Sequence, residues 1–170
     1  MTTFIALLRA VNVGGTGKLP MTELKAMCEL AGFTAVRTYI ASGNVVFDSA
    51  SAAATVKATL EKLLLEYAGK PVRVLVRTQA ELAAVLANNP FPHAAPNRTI
   101  VIFLDGAPPA DTLATLGGRK NEEVILGERE IYVSYGDGIG QSTLKIRASD
   151  EGTGRNINTV AKLVEMAGAR

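Results

Sequence analysis

Two short polar segments of the chain carry the residue types that could bind an anion. One of them, Gly152–Thr159, reads Gly-Thr-Gly-Arg-Asn-Ile-Asn-Thr, and the apolar residues Val160, Leu163, Val164 and Ala167 follow it at helical spacing. One arginine and two asparagines follow these glycines at the predicted start of a helix. At a helix start, backbone N–H groups lack partners and the helix dipole has its positive end. The segment therefore predicts either a preformed anion pocket or a heavily capped helix start.

The polar side chains of this segment have two interpretations. Arg155 could bind a phosphate or carboxylate through two parallel hydrogen bonds, with Asn156 or Asn158 fixing the orientation of the ligand. In the structural alternative, one asparagine caps the helix, which is worth about 1 kcal/mol, and Arg155 pairs with a nearby acid such as Asp150 or Glu151. Because a cap needs only one asparagine, the second asparagine and the arginine add weight to the binding role, and both interpretations stay open.

The second polar segment is the glycine-rich loop Asn12–Lys18, which reads Asn-Val-Gly-Gly-Thr-Gly-Lys. A nucleotide-hydrolysing P-loop needs a glycine at the position of Asn12 and a serine or threonine at the position of Leu19. Both are missing, so we expect no magnesium ligand and no nucleotide hydrolysis here. A weaker phosphate contact through Lys18 and backbone N–H groups stays open, beside a purely flexible connection.

The remaining reactive side chains predict no further chemistry. His93 lies in a proline-rich stretch without the partners that a general base needs, and Cys28 lies on an apolar helix stripe, which predicts a buried hydrophobic residue. One histidine and one cysteine do not make a metal site, so we predict no metal and no cofactor. The glutamates at 122, 123, 128 and 130 are expected to be solvated charge on a hairpin.

The elements that position these residues form two halves. Residues 3–77 read β-α-β-β-α-β, the order of a ferredoxin-like unit. Strand 3–11 is apolar on both faces, which predicts a central strand covered on both sides. Thr78 and Glu81 form a capping box for a third helix, and Ser49 and Ser51 are candidate caps for the second helix.

The second half repeats the order of elements less completely. Residues 90–97 hold three prolines and are interpreted as a linker. A strand at 99–104, a short helix at about 109–116, a hairpin and the terminal helix follow, without a clear last strand. We therefore predict an α+β fold of two ferredoxin-like halves, 1–89 and 98–170, packed together as antiparallel sheets with helices on the outer faces. A single large sheet is the alternative.

The ferredoxin-like order predicts which loops meet. Strands one and two run parallel with strand three between them, so the loop after strand one and the turn between strands two and three lie at the same edge. This places the residues of the first half that could bind an anion together: Arg9, Asn12, Lys18, Ser42 and Asn44.

Composition limits the classes of function. The net charge is only +2, from 18 basic and 16 acidic residues, and aromatic residues make up 5% with no tryptophan. Sheet-face RNA binding needs exposed aromatic side chains, so nucleic acid is a weakly supported partner. Cys28 is the only cysteine, which suits a reducing compartment. The apolar run Phe4–Leu8 is too short for a signal peptide or a membrane span, so we predict a cytoplasmic protein without a membrane partner.

Several blocks together resemble a known family: Phe4–Gly15, Lys18–Met21, Arg37–Phe47 and Thr153–Thr159. The chain resembles the bacterial domain of unknown function family 1697 over nearly its whole length. The resemblance implies an α+β fold of ferredoxin-like character and a cytoplasmic protein, and it implies no activity. Ile157 stands where the family usually has tryptophan, and the segment 140–147 is shorter than usual.

These observations predict a protein that binds a phosphate- or carboxylate-bearing ligand in a cleft between the two halves. The predicted lining consists of Arg9, Asn12, Lys18, Ser42, Asn44, Arg155, Asn156 and Asn158. One alternative is an enzyme acting on a phosphorylated or carboxylated small molecule. The other is a non-catalytic scaffold or nucleic-acid-interaction module. The sequence fixes neither the ligand nor the oligomeric state.

Overall fold

A computed structural model describes residues 1–13 and 18–169. This part of the chain is α+β, with four α-helices and two four-stranded antiparallel sheets. The elements are β1 (Thr2–Leu8), α1 (Met21–Leu30), β2 (Thr34–Tyr39), β3 (Asn44–Ser49), α2 (Ala53–Ala68), β4 (Val74–Thr78), α3 (Gln79–Ala87), β5 (Thr99–Phe103), β6 (Glu123–Leu126), β7 (Glu130–Ser134), β8 (Thr153–Asn156) and α4 (Ile157–Gly168). Contacts divide the chain into unit 1, Met1–Ala83 with Lys162–Arg170, and unit 2, Ala84–Ala161.

The sheet of unit 1 has the strand order β2-β3-β1-β4, and all three pairings are antiparallel. Because β3 lies between β1 and β2, these two strands run in the same direction. Phe4 and Phe47 are directly opposite each other, and Phe47 stacks on Phe33 with ring centroids 4.3 Å apart. These rings belong to the hydrophobic core that α1 and α2 complete with Leu24, Met27, Cys28, Val56, Leu60 and Leu64.

Strand β1 is the central buried strand that its composition predicts. Every residue from Thr3 to Leu8 is buried, on both faces of the sheet. One polar side chain is accommodated because the Thr3 hydroxyl donates to Asp48 Oδ1 at 2.7 Å. The prediction of a strand covered on both sides is confirmed.

Helix starts in unit 1 follow local sequence signals in two cases out of three. The capping box is confirmed, because the Thr78 N–H donates to Glu81 Oε1 at 2.8 Å and the Glu81 N–H donates to Thr78 Oγ1 at 3.2 Å. Pro20, whose ring restricts φ, directly precedes the first residue of α1. Neither Ser49 nor Ser51 caps α2; the Ser49 hydroxyl instead accepts from the Ser51 N–H at 3.1 Å, and α2 begins after Ala52.

A long-range contact fixes the last turn of α4 in unit 1. The guanidinium of Arg37 on β2 donates to the carbonyl groups of Met166 and Ala169, at 2.6 Å each. A cation at a helix C-terminus satisfies carbonyl groups that have no intrahelical partner and interacts favourably with the helix dipole. Residues that are about 130 positions apart in sequence are joined in this way.

The sheet of unit 2 has the order β6-β7-β5-β8, again with antiparallel pairings only. A single large sheet is therefore wrong. The second half does have a last strand, β8, which the sequence analysis missed, and this strand directly precedes α4.

The short helix expected at 109–116 is also wrong. Residues 110–115 form consecutive turns. The hydroxyl of Thr112 donates to the Pro109 carbonyl at 2.6 Å and that of Thr115 donates to the Asp111 carbonyl at 3.0 Å. Such side-chain bonds offer the backbone an alternative to a regular helix.

Candidate functional site

In unit 1 the loop after β1 and the turn between β2 and β3 lie against each other. The Leu8 N–H donates to the Gly43 carbonyl at 2.9 Å. The side chain of Asn12 donates to the Ala41 carbonyl at 2.8 Å. These hydrogen bonds show that the two loops meet at one edge of the sheet, as the order of strands requires.

Asn12 organises the loop after β1. Its Nδ2 also donates to the Leu19 carbonyl at 2.9 Å, while its Oδ1 accepts from the Leu19 N–H at 2.6 Å. The side-chain amide of Asn12 thus binds both the N–H and the carbonyl of Leu19, in the way that one backbone amide pairs with another. The glycines at 14, 15 and 17, which the sequence analysis considered as a phosphate-binding loop, lie outside the described residues.

The backbone at this edge is strained. Ala10, Asn12 and Ile40 have φ values of 55°, 57° and 48°, in the left-handed region that non-glycine residues rarely adopt. Gly43 has φ +90°, and an added Cβ would lie 2.7 Å from Val11 Cγ2. Such strain persists only where the surrounding structure fixes it, and it is concentrated at functional sites.

Asn44 has a positioning role in the turn. Its side chain is fully buried, and its Nδ2 donates to the Tyr39 carbonyl at 2.8 Å and to the Ser42 hydroxyl at 2.9 Å. These bonds hold the chain reversal between β2 and β3 and orient the half-buried Ser42. Asn44 is therefore positioned to shape this edge, and its amide nitrogen is occupied by protein groups.

Two cationic side chains border the same loop. Arg9 follows β1 directly and is half-buried, and its N–H donates to the Arg73 carbonyl at 2.9 Å. Lys18 is exposed and lies two residues before Pro20, which precedes the first residue of α1. No side chain of the described residues caps the N-terminus of α1, although Glu23 lies in its first turn.

The predicted site residues of the second half belong to unit 2. Arg155 lies on β8, opposite Val101 of β5, and is only 6% exposed. Its Nη1 donates to Thr153 Oγ1 at 2.6 Å and to the Gly154 carbonyl at 2.9 Å. Burial lowers the pKa of the Arg155 guanidinium to about 10, which leaves it charged at neutral pH.

The two asparagines of this segment differ in role. Asn156 directly precedes α4, and its Oδ1 accepts from the Thr159 N–H at 2.9 Å. This is the bond of an N-cap residue to the third residue of a helix. Asn158 is exposed in the first turn of α4. The structural interpretation of the sequence therefore applies to Asn156.

The expectation of solvated glutamates is wrong at two positions. Glu122 and Glu130 are 3% and 4% exposed. The Lys120 N–H donates to Glu122 Oε1 at 2.7 Å and the Ser142 hydroxyl donates to Glu122 Oε2 at 2.8 Å, and these bonds, in that order, lower the pKa of Glu122. The carboxylate joins two loops of unit 2. Sequence spacing gave no signal for this, because Glu122 and Ser142 are 20 positions apart.

The remaining reactive side chains, Cys28 and His93, lie in environments that indicate no chemical role. Cys28 is buried, as predicted, and this burial raises the pKa of its thiol to about 12. His93 is exposed. Within residues 1–13 and 18–169, no three side chains of His, Cys, Asp or Glu come together as a metal-binding set.

The same ranges contain no helix with both the length and the apolar character to cross a membrane.

Comparison with known proteins identifies the family without assigning an activity. A family model described as "Protein of unknown function (DUF1697)" matches residues 1–132, so the chain belongs to that family. The chain is also similar to a solved structure of the conserved bacterial protein SP0830 from Streptococcus pneumoniae. The TM-score is 0.81 at 25% sequence identity, over 98% of each chain. No curated protein matches this chain.

Proposed function

We propose that unit 1 binds an anionic group, a phosphate or a carboxylate, at the edge that holds residues 9–13, 18–19 and 40–44. We call this edge the loop site. We also propose that each unit is a ferredoxin-like half in its strand arrangement, since both sheets have the same strand order and antiparallel pairing, although turns at 110–115 stand in place of the first helix of unit 2. This is the arrangement in which the loop after the first strand meets the turn between the second and third.

The observation that carries the proposal is the side-chain amide of Asn12. Its three hydrogen bonds join the start of the loop, the end of the loop at Leu19 and the turn at Ala41. The end of this loop leads through Pro20 into α1, whose N-terminus has no side-chain cap among the described residues. A helix N-terminus of this kind attracts negative charge through its N–H groups and its dipole.

The charged side chains around the start of α1 have opposing effects on anion binding. Lys18 is exposed just before α1, and Arg9 lies at the other end of the loop. The carboxylate of Glu23 in the first turn of α1 opposes an incoming anion. Lys18 and Arg9 must therefore supply the positive charge, while Asn12 and Asn44 hold the backbone in position.

The test is binding of inorganic phosphate and pyrophosphate, measured by calorimetry and by the shift in the unfolding temperature. Lys18→Ala should weaken binding and Glu23→Gln should strengthen it. Lys25→Ala is the matched control, because Lys25 is an exposed lysine on the same helix and should leave binding unchanged. The proposal fails if neither anion binds at millimolar concentration, or if Lys18→Ala and Lys25→Ala have the same effect.

Participation of Arg155, Asn156 and Asn158 in a cleft between the halves stays a prediction, and so does a cytoplasmic location. The bonds of Arg155 and Asn156 to protein groups make the loop site of unit 1 the stronger candidate. Turnover of a phosphorylated or carboxylated substrate that is lost in Lys18→Ala would instead favour the enzymatic alternative.

A further inference from the structure

We propose that the outer edge of β6 in unit 2 binds an extended basic segment of a partner protein by strand addition. The proposal is independent of the loop site in unit 1. It rests on a comparison of the four strands that lie at the edges of the two sheets: β2, β4, β6 and β8. An exposed edge strand presents unpaired N–H and C=O groups and is a template for pairing with another chain.

Two of the four edges are blocked by side chains or by a bulge. On β4, the ammonium of Lys57 donates to the Val74 carbonyl at 2.6 Å, and Glu61 Oε2 accepts from the Val74 N–H at 2.9 Å. On β2, the pairing with β3 is interrupted between Thr34 and Arg37, where Ala35 has φ 51°. A bulge and side-chain capping are both known ways to protect an edge.

The third edge, β8, is partly covered by its own arginine. Arg155 Nη1 donates to the Gly154 carbonyl at 2.9 Å. By contrast, no side chain in the described ranges forms a hydrogen bond with the backbone of β6. Directly before the strand, Arg119 Nε donates to the Glu122 carbonyl at 2.7 Å. Among the described residues, β6 is thus the one edge strand with neither a bulge nor a side-chain hydrogen bond to its own backbone.

The register of the hairpin shows which groups of β6 point outward. The Gly127 N–H donates to the Glu130 carbonyl at 2.7 Å, so Gly127 and Glu130 form a hydrogen-bonded pair. Hydrogen-bonded and non-hydrogen-bonded pairs alternate along an antiparallel ladder. The N–H and C=O groups of Val124 and Leu126 therefore point away from β7 and can pair with an added strand.

The side chains of β6 define what the added strand must look like. Val124 and Leu126 pack against the hydrophobic core of unit 2. Ile125 lies on the other face of the strand and is 43% exposed. A residue opposite Ile125 on an added strand would cover it, so the central position of the partner segment should be apolar.

Charge selects a basic partner. Glu123 is the first residue of β6, Glu128 lies in the turn that follows the strand, and both are exposed. A second copy of this chain paired along β6 would bring these carboxylates together, and like charges across a strand pair are destabilising. The partner segment that we expect to bind is five residues long, with basic residues at its first and fifth positions, an apolar residue at its third and any residue at the other two.

Fluorescence anisotropy with labelled peptides tests this directly. The probe peptide is Lys-Thr-Val-Thr-Lys with flanking glycines, and the matched control is Glu-Thr-Val-Thr-Glu. We expect saturable binding of the basic peptide, weakened by salt because the ion pairs are exposed. N-methylation of the two threonine nitrogens should abolish binding, because those groups pair with the outward carbonyls of β6.

A charge-swap variant links the binding to β6. The double substitution Glu123→Lys with Glu128→Lys should weaken the basic peptide about tenfold and favour the acidic one. The control, Glu29→Lys with Glu66→Lys, makes the same change in net charge at exposed positions on α1 and α2 and should not change binding.

Four results of the peptide experiments would overturn the proposal. These are absence of saturable binding of the basic peptide, equal binding of the two peptides, retained binding after N-methylation, and equal effects of the two double variants. A dimer in solution that is broken by the Glu123 and Glu128 substitutions would assign the edge to a second copy instead, and would also overturn it.

Discussion

Replacing Asn12 with alanine should destabilise the protein more than any other single change at the loop site. The substitution removes three hydrogen bonds to backbone groups, at 2.6, 2.8 and 2.9 Å. Each is worth roughly 0.5–1.5 kcal/mol net, and the bond to Ala41 is exposed and therefore at the low end. Their loss should lower the free energy of unfolding by about 2–3 kcal/mol.

Backbone conformation adds a second contribution that can be separated from the first. Asn12 has φ 57°, a conformation that costs alanine roughly 1–2 kcal/mol but costs glycine nothing. Glycine also adds chain entropy to the unfolded state. Asn12→Gly should therefore lose the same hydrogen bonds as Asn12→Ala and yet be more stable than it by roughly 0.5–1 kcal/mol.

The assay is urea unfolding followed by circular dichroism, with the unfolding temperature as a second measurement. For a chain of this length, 1 kcal/mol corresponds to about 2–4 °C, so the loss of the three hydrogen bonds alone should lower the unfolding temperature by about 4–12 °C. Asn97→Ala is the control, since Asn97 is exposed. The reasoning is refuted if Asn12→Ala matches Asn97→Ala, or if the glycine variant is no more stable than the alanine variant.

Three further predictions concern other parts of the fold. Cys28, whose thiol pKa is raised to about 12 by burial, should resist a thiol reagent at pH 8 and react only on unfolding, as followed by absorbance. Asn156→Ala should remove the cap of α4 and lower the free energy of unfolding by about 1 kcal/mol in urea, while Asn158→Ala should not. Glu122→Gln should be less stable than the natural protein at pH 7, because the carboxylate accepts from the Lys120 N–H and the Ser142 hydroxyl. The pKa of Glu122 is lowered from 4.5 in the folded state. The carboxylate's contribution is therefore complete above that value, and the difference should disappear as the pH falls through the folded-state pKa.

Each of these predictions can be contradicted by a single result. Rapid labelling of Cys28 without denaturant would mean that the apolar face of α1 is accessible to the reagent in the folded protein. Equal losses in Asn156→Ala and Asn158→Ala would remove the capping role of Asn156. A stability difference for Glu122→Gln that stays constant from pH 7 down to pH 3 would show that ionisation of this carboxyl is irrelevant.

The parts of the fold that the sequence predicts well depend on local patterns. The run of apolar residues from Phe4 to Leu8 could be satisfied only by burial on both faces, and it is buried. Thr78 and Glu81 form their capping box because both partners lie within one helical turn. The meeting of the two loops at Asn12 follows from the order of strands, which these patterns indicate.

The parts that the sequence did not predict depend on long-range contacts. The residues of β8, with Gly154 and Asn156, have poor strand propensity, and β8 forms because it pairs with β5, about 50 positions earlier. Glu122 can be buried because its carboxylate accepts hydrogen bonds from the Ser142 hydroxyl and the Lys120 N–H, which replace its hydrogen bonds to water. In both cases, contacts with residues distant in the sequence determine the structure and override the local sequence pattern.

The most direct measurement for the loop site is a titration of the ¹⁵N-labelled protein with pyrophosphate, followed by amide chemical shifts. The proposal predicts saturable shifts concentrated at residues 9–13, 18–22 and 40–44, which vanish in Lys18→Ala and persist in Lys25→Ala. Shifts that do not saturate, or that are spread evenly over the exposed lysines and arginines, would contradict anion binding at this edge of unit 1.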